Sequence, residues 1–181
     1  MAIRTILTYK DYEALPADGR RYELHEGELS VTPAPSPKHQ QISLNLSVIL
    51  HGHVHSRRLR RVLPAPIDCI LSDTTIVQPD LVYLDTNRLA AISGRGIEGP
   101  PTLAVEILSP STSSIDRGVK AQLYARYDIP YYWIVDPEAE TIEAYRLAQK
   151  AYQLTGRMEG GSSVGLTPFP ELSLVPASIW L

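Results

Sequence analysis

The segment at residues 102–108 is the part of the chain that most restricts the fold. It reads Thr-Leu-Ala-Val-Glu-Ile-Leu and is therefore almost continuously apolar. A short apolar run without alternation is typical of a strand at the centre of a sheet, where both faces are covered. The sequence therefore predicts a layered fold, and the single charge within this strand, Glu106, requires an explanation.

The segments around this strand predict further strands and two long helices. Apolar residues at helical spacing predict one helix at 39–55 and another at 114–128, the second with Ile115, Val119 and Leu123 on its buried face. The predicted strands are 22–24 and 28–31, joined by a turn at 25–27, and then 61–63, 67–71, 80–84, 102–108, 131–135, 141–145 and 151–154. We expect the strands between residues 61 and 84 to share one sheet. This order predicts an α/β sandwich, with a mixed β-sheet flanked by helices.

Composition limits the size and surroundings of the protein. The 181 residues, 44% of them hydrophobic, suffice for one sizeable core, so we expect a single domain over residues 1–181. The 17 basic and 20 acidic residues nearly cancel, which argues against a polycation that coats nucleic acid with its whole surface. A lone cysteine, Cys69, allows no disulfide framework within the chain. With no secretion signal or membrane span expected, we predict a cytoplasmic protein.

Two carboxylates stand where packing alone does not favour them. Burying an unpaired carboxylate costs several kcal/mol, on the order of the whole stability margin of a domain, so Glu106 must be ion-paired, metal-bound or protonated. Asp80 follows Pro79 at the start of a predicted strand, a common place for an aspartate that carries little weight alone. If the two strands are neighbours, both carboxylates meet at one end of the sheet, where such hard oxygen ligands favour Mg²⁺ or Mn²⁺.

Several short motifs lie between residues 21 and 136. They are Tyr22-Glu23-Leu24 with Gly27-Glu28-Leu29, Pro35-Ser36-Pro37-Lys38-His39, Pro79-Asp80, Val105-Glu106-Ile107-Leu108-Ser109-Pro110-Ser111-Thr112, the pair Asp116 and Lys120, and Tyr132-Trp133-Ile134-Val135-Asp136-Pro137. Taken together, these motifs resemble the PD-(D/E)XK nuclease superfamily, and within it the bacterial Uma-type restriction-endonuclease branch. The resemblance implies a restriction-endonuclease-like fold.

The resemblance also implies a metal-dependent active site. A metal ion would be held by Asp80, Glu106 and the main-chain carbonyl of Ile107, with Glu23 as an additional acidic member. Such a cation polarises the phosphate and activates water. The Lys120 ammonium would lower the pKa of the attacking water or offset the charge that grows on the phosphorane.

The sequence departs from the superfamily pattern at Leu108. The superfamily has a lysine there, two residues after the glutamate on the same strand face. In this branch the lysine has moved to the following helix, where Lys120 is the candidate. The alternative is an ordinary solvated helix lysine paired with Asp116 at a spacing of four residues.

Other basic residues are candidates for nucleic-acid contact. The only dense basic run follows the first long helix and comprises Arg57, Arg58, Arg60 and Arg61. A phosphate contact and a solvated helix end explain this run equally well. His39 opens the same helix and is a candidate for contact with a phosphate or a metal-bound water. The histidines at 51, 53 and 55 suggest zinc only weakly, because no cysteine or other clustered ligand accompanies them.

The first hypothesis for function is therefore a metal-dependent endonuclease that hydrolyses DNA phosphodiester bonds. By analogy, it would act as a homodimer, because a single site cuts only one strand. Two alternatives remain open at this point. One is a non-catalytic nucleic-acid-binding or regulatory protein on the same fold, and the other is a metallohydrolase for a different phosphate ester.

Overall fold

A computed structural model describes residues 5–180 and contains four α-helical segments. These are α1 (Tyr9–Glu13), α2 (Pro37–Ser56), α3 (Ser113–Ile115) and α4 (Ala121–Arg126), with a π-helical turn at Asp116–Lys120 between the last two. Short 3-10 segments lie at Thr86–Ala91 and Pro176–Ser178. The long helix α2 begins where Ser36 accepts a hydrogen bond from the main-chain N–H of His39 and Pro37 takes the first helical position.

The strands form two large sheets and one small one. In chain order they are β1 (Arg21–His25), β2 (Glu28–Thr32), β3 (Arg61–Pro64), β4 (Cys69–Ser72), β5 (Thr75–Val77), β6 (Leu81–Leu84), β7 (Ile97–Glu98), β8 (Leu103–Ile107), β9 (Tyr131–Asp136), β10 (Thr141–Ala148), β11 (Ala151–Met158), β12 (Val164–Leu166) and β13 (Phe169–Leu174). The five-stranded sheet has the order β2-β1-β5-β4-β7, and the six-stranded sheet has the order β11-β10-β9-β8-β6-β3. Strands β12 and β13 pair with each other.

The six-stranded sheet is mixed and is covered on both faces. Strand β8 pairs antiparallel with β6 and parallel with β9. Its residues alternate between two cores: Val105 and Ile107 pack on the side of α2, whereas Ala104 and Leu108 pack on the side of α4 and the five-stranded sheet. The predicted central strand and the predicted α/β fold class are thus confirmed, while the single domain stays a prediction.

The strands predicted between residues 61 and 84 do not share one sheet. Strands β3 and β6 lie in the six-stranded sheet, but β4 lies in the five-stranded one. Strand β3 ends at Pro64, and Pro66, which has no N–H to donate to a ladder, lies in the connection through which the chain crosses to the other sheet. The prediction of one shared sheet was therefore wrong.

The hairpin predicted at residues 22–31 is present, and the last two predicted strands also pair as a hairpin. Strands β1 and β2 are joined by Glu26 and Gly27, which both have positive φ, as a tight two-residue hairpin turn requires. His25 belongs to strand β1 rather than to the turn. The hairpin of β10 and β11 closes one edge of the six-stranded sheet and is longer than predicted. No helix within residues 5–180 has both the length and the apolar character needed to span a membrane.

Candidate active site

Asp80 and Glu106 lie side by side at one end of the six-stranded sheet. Leu81 in β6 pairs with Val105 in β8, so the two acidic residues stand one position beyond that antiparallel pair. Both point to the face that carries α4, because they alternate with residues of the opposite core. Each residue is only 2% exposed. The predicted convergence of the two carboxylates is present in the structure.

Glu106 receives two hydrogen bonds on the same oxygen. Lys120 Nζ lies 3.0 Å from its Oε1, and the Tyr124 hydroxyl donates to that same atom. Within residues 5–180, no protein donor reaches its Oε2. Burial raises the pKa of the Glu106 carboxyl well above its usual range against the opposing Lys120 charge, and the neighbouring acidic groups raise it further.

Lys120 is buried among three carboxylates. Its Nζ lies 2.9 Å from Glu23 Oε1 and 3.7 Å from Asp116 Oδ1, in addition to its contact with Glu106. Burial alone would lower its pKa, but the three acidic neighbours outweigh this effect and raise it. Lys120 is therefore a fixed ammonium group, and the alternative of a solvated surface lysine is wrong.

The π-helical turn explains how Lys120 reaches the site. In a regular α-helix with 3.6 residues per turn, two residues eight positions apart point about 80° away from each other. A π turn takes more residues and offsets part of this rotation. Asp116, Lys120 and Tyr124 consequently all face the same carboxylate cluster. Val119 is 46% exposed, so the predicted buried face with Ile115, Val119 and Leu123 was wrong at its middle position.

Asp80 is held by donors from three different elements. Arg21 donates to its Oδ1 at 2.9 Å, whereas Oδ2 accepts from His39 Nε2 at 3.2 Å and from the Ile107 main-chain N–H at 2.8 Å. Burial would raise the pKa of Asp80, but these partners lower it to about 2. The other ring nitrogen of His39 is buried and has no hydrogen-bond partner within residues 5–180.

Glu23 connects the first hairpin to the site. It faces Lys120 and accepts hydrogen bonds from His25 at 3.3 Å and from the Gln78 main-chain N–H at 2.6 Å. Burial would raise its pKa, yet the Lys120 charge and these hydrogen bonds lower it to about 2. The predicted additional acid therefore joins the same cluster as an ionised carboxylate.

These residues line a pocket of about 230 Å³. One wall is the loop at residues 32–36, and another is the loop at 109–112, which follows directly after strand β8. A second pocket of about 230 Å³ adjoins it and shares His39, Ser36 and Ser109 as lining residues. His39 thus lines both cavities.

The donor set of the pocket fits a divalent cation. Among the described residues, four carboxyl groups, from Glu23, Asp80, Glu106 and Asp116, face two permanent cations, Arg21 and Lys120. A divalent ion would offset the excess of negative charge. No three His, Cys, Asp or Glu side chains within residues 5–180 form a metal site by themselves. A cation would therefore depend on two carboxylates and a main-chain oxygen as its protein ligands.

The basic run lies far from this pocket. Helix α2 has 20 residues, so its two ends are about 30 Å apart, with His39 near one end and Arg57 at the other. Arg57 pairs with the exposed Glu171 at 3.4 Å, and Arg60 donates to Thr86. Arg61 begins β3 opposite Leu84, four residues along β6 from Asp80, and none of the four arginines lines the pocket, so the structure does not bring the run together with the carboxylates.

The histidines at the end of α2 do not form a metal site. His53 is buried against the edge of Phe169, whereas His51 and His55 stack on each other with ring centroids 5.6 Å apart.

Sequence reasoning did not single out Arg21 and Tyr124 as members of the site. Arg21 precedes Glu23 by two positions and therefore shares its strand face, which was a usable signal. Tyr124 lies four residues after Lys120, but which partner its hydroxyl contacts depends on the strand packed below.

Comparison with known proteins places the chain in a family. The family model "Uma2: Putative restriction endonuclease" matches residues 9–177. A crystal structure of a "putative nuclease" from Anabaena variabilis superposes with a TM-score of 0.77 at 22% identity, covering 96% of this chain and 97% of the other. No curated protein matches the sequence. The fold is therefore that of the Anabaena protein, and the chain belongs to the Uma2 restriction-endonuclease family.

Proposed function

We propose that this protein is a metal-dependent endonuclease that hydrolyses DNA phosphodiester bonds. The observation that carries the proposal is the convergence of Asp80, Glu106, Lys120 and Glu23 in one pocket. Membership of a family described as restriction endonucleases supports the same reaction class. Structural packing alone gives no reason to bury four carboxyl groups beside two cations.

Asp80, Glu106 and the main-chain carbonyl of Ile107 would hold the cation, which we propose to be Mg²⁺ or Mn²⁺. When bound, such an ion polarises a phosphate oxygen and lowers the pKa of a water molecule. The two carboxylates are ready for this role because neighbouring strands and hydrogen bonds fix their positions.

Lys120 supplies a permanent positive charge beside the reacting phosphate. In the reaction, a water oxygen forms a bond to phosphorus while the bond from phosphorus to the leaving sugar oxygen breaks. Negative charge grows on the phosphoryl oxygens, and a fixed ammonium in a buried site stabilises it without reorganisation. Glu23 and Asp116 hold the ammonium in place. In this way Lys120 takes over the role of the lysine that Leu108 replaces.

His39 is proposed to contact the substrate phosphate next to the site, because its ring separates the two adjoining pockets. The basic run at Arg57, Arg58, Arg60 and Arg61 is proposed to contact the DNA backbone elsewhere. Arg57 lies about 27 Å along α2 from His39, which at about 3.4 Å per base pair corresponds to roughly eight base pairs. Substitutions in this run would then weaken DNA binding without changing the chemistry of the site.

We also propose that the protein acts as a homodimer, since one site cuts one strand and a double-strand break needs two. Sedimentation analysis tests this directly. A monomer at the concentration at which linear plasmid accumulates would overturn it. The cytoplasmic location expected from the sequence stays a prediction.

Cleavage of supercoiled plasmid tests the proposed function. Wild-type protein should nick it in Mg²⁺ or Mn²⁺ but not with chelator, and Asp80→Ala, Glu106→Ala and Lys120→Ala should each lower the rate at least about a hundredfold. Lys150→Ala, which removes an exposed lysine paired with Asp128, is the control and should cut normally. Failure of the wild type to nick in either metal would contradict the proposal.

One observation favours a second candidate, a protein that binds nucleic acid without cutting it. The Lys120 ammonium already has three carboxylate partners within 4 Å, so these ion pairs alone give Lys120 a structural role. Metal-independent DNA binding by a wild type that does not cleave would favour this candidate. Hydrolysis of a small phosphodiester such as bis(4-nitrophenyl) phosphate, but not of plasmid, would instead indicate a metallohydrolase for another phosphate ester.

A further inference from the structure

We propose that Tyr124 is a positioning residue of the site, which together with Lys120 restricts Glu106 to a single available ligand oxygen. This inference rests on the proposed function and extends it to the choice of metal ion. Tyr124 does not contact the cation itself in this proposal. It acts through the carboxylate that it orients.

The first observation is that both donors reach the same carboxylate atom. Lys120 Nζ and the Tyr124 hydroxyl both contact Glu106 Oε1, at 3.0 Å and 2.5 Å, and no donor from residues 5–180 reaches Oε2. The terminal torsion of a glutamate side chain is soft, so its carboxylate rotates unless partners hold it. Two donors on one oxygen therefore leave the other oxygen for a ligand in the pocket.

The second observation is that packing holds the Tyr124 side chain beside Glu106. Its side chain is completely buried, and its ring packs edge-on against Tyr132 with centroids 5.2 Å apart. Tyr132 in turn donates its hydroxyl to the main-chain carbonyl of Asp116, where the π turn begins. The two rings thus tie strand β9, the helical segment and Glu106 into one unit.

The protonation state of Tyr124 fits the same role. Burial raises the pKa of its phenol well above the usual value, and the nearby carboxylates raise it further. The hydroxyl therefore remains a donor, and Glu106 Oε1 is its hydrogen-bond acceptor.

Restricting Glu106 to one oxygen has a consequence for metal selectivity. Mg²⁺ and Mn²⁺ favour octahedral sites with few carboxylate oxygens and several waters, whereas Ca²⁺ accepts more oxygen ligands and readily takes both oxygens of one carboxylate. A glutamate that offers a single oxygen therefore favours the smaller ions. Removing the Tyr124 hydroxyl would leave Glu106 Oε1 with Lys120 as its donor, so that Oε1 becomes more available to a cation. The preference for the smaller ions over Ca²⁺ would then decrease.

Calorimetric titration of Mn²⁺ and of Ca²⁺ into wild type, Tyr124→Phe and Tyr152→Phe tests the inference. Tyr152 is the matched control, because its hydroxyl donates to the Ile129 carbonyl and its ring also packs on Tyr132. We expect Tyr124→Phe to bind Mn²⁺ about tenfold more weakly without losing Ca²⁺ affinity. The ratio of the Ca²⁺ Kd to the Mn²⁺ Kd should then fall about tenfold. Tyr152→Phe should keep the wild-type preference.

Each other outcome is informative. A Tyr124→Phe protein that is folded by circular dichroism and keeps the wild-type ratio of the two affinities would overturn the role of Tyr124, even if both affinities fall, because general loosening weakens both ions alike. That result would leave the proposed nuclease intact. Binding of neither ion by the wild type would overturn the proposed metal dependence and this inference with it.

Discussion

The main-chain N–H of Ile107 donates to Asp80 Oδ2 at 2.8 Å. The backbone of strand β8 therefore fixes the carboxylate of the residue that precedes the neighbouring strand, β6. Strand β8 ends where β6 begins, and Asp80 lies at this end of the strand pair. The hydrogen bond is buried, which makes its loss more costly than that of a surface contact. A residue proposed to hold a metal ion therefore also stabilises the fold.

Asp80→Asn should remove stability that depends on pH. The pKa of Asp80 is about 2 in the folded protein, against an ordinary value of 3.8, so the folded state binds the carboxylate proton less strongly than the unfolded state does. Its contribution is complete above the unfolded value and is lost as pH falls towards 2. In chelator, Asp80→Asn should be about 2 kcal/mol less stable at pH 7 and lose less stability upon acidification.

Urea denaturation at pH 7 and at pH 3 measures this difference. The matched control is Asp73→Asn, which changes an exposed aspartate in the turn between β4 and β5. An equal acid dependence in wild type and Asp80→Asn would show that the Asp80 carboxylate is not ionised by its partners as described.

Glu106→Gln should have the opposite effect on stability. The pKa of Glu106 is raised in the folded protein, so the native state holds this proton more tightly than the unfolded state does. Wild-type stability should then fall as pH rises above about 4.5, through the window up to the folded pKa. Glutamine keeps the acceptor oxygen without the charge, so in chelator the variant should be more stable than wild type at pH 8. It should also be inactive.

Thermal or urea unfolding at pH 5 and pH 8 compares the stability of wild type with that of Glu106→Gln. A variant less stable than wild type at both pH values would mean that the Glu106 charge contributes net stability, and that its site is not poised for a cation. Plasmid nicking measured in parallel gives the accompanying loss of activity.

Lys120→Met should be strongly destabilising without metal. It leaves Glu23, Glu106 and Asp116 without their common cation, and breaking a buried ion pair by removing one partner costs about 3–5 kcal/mol. Mg²⁺ should restore part of this loss, since a ligand at one hundred times its Kd stabilises the folded state by about 2.7 kcal/mol. Lys150→Met, at an exposed pair, should change stability by less than about 0.5 kcal/mol. Equal stability of the two variants in chelator would contradict the buried cluster.

The fold and the acidic pair could be predicted from sequence because their signals are local. An apolar run with one charge is unusual enough to mark both the central strand and Glu106. The period of two along each strand then places Asp80 and Glu106 on the same face once the strands are neighbours. Glu23 was predicted as a site residue from the family resemblance and not from the sequence around it.

The remaining features depend on contacts between distant parts of the chain. Strand β4 is as rich in β-branched and apolar residues as its neighbours, so composition did not reveal that it joins the other sheet. The sequence did not indicate where the basic run lies relative to the carboxylates, and the length of α2 separates Arg57 from His39. Tyr124 was missed because a tyrosine in a helix is usually part of the core.

The exposed Val119 permits a direct test of the π turn that brings Lys120 into the site. If the helix were regular, with Ile115, Val119 and Leu123 on its buried face, truncating either of the last two would create a cavity. In the structure only Leu123 is buried, so Leu123→Ala should cost about 2–5 kcal/mol and Val119→Ala less than about 0.5 kcal/mol. Urea denaturation of both variants measures the contrast. A cost above about 1.5 kcal/mol for Val119→Ala would mean that the helix packs in its regular register, which would turn Lys120 away from Glu106 and remove the basis for its proposed role.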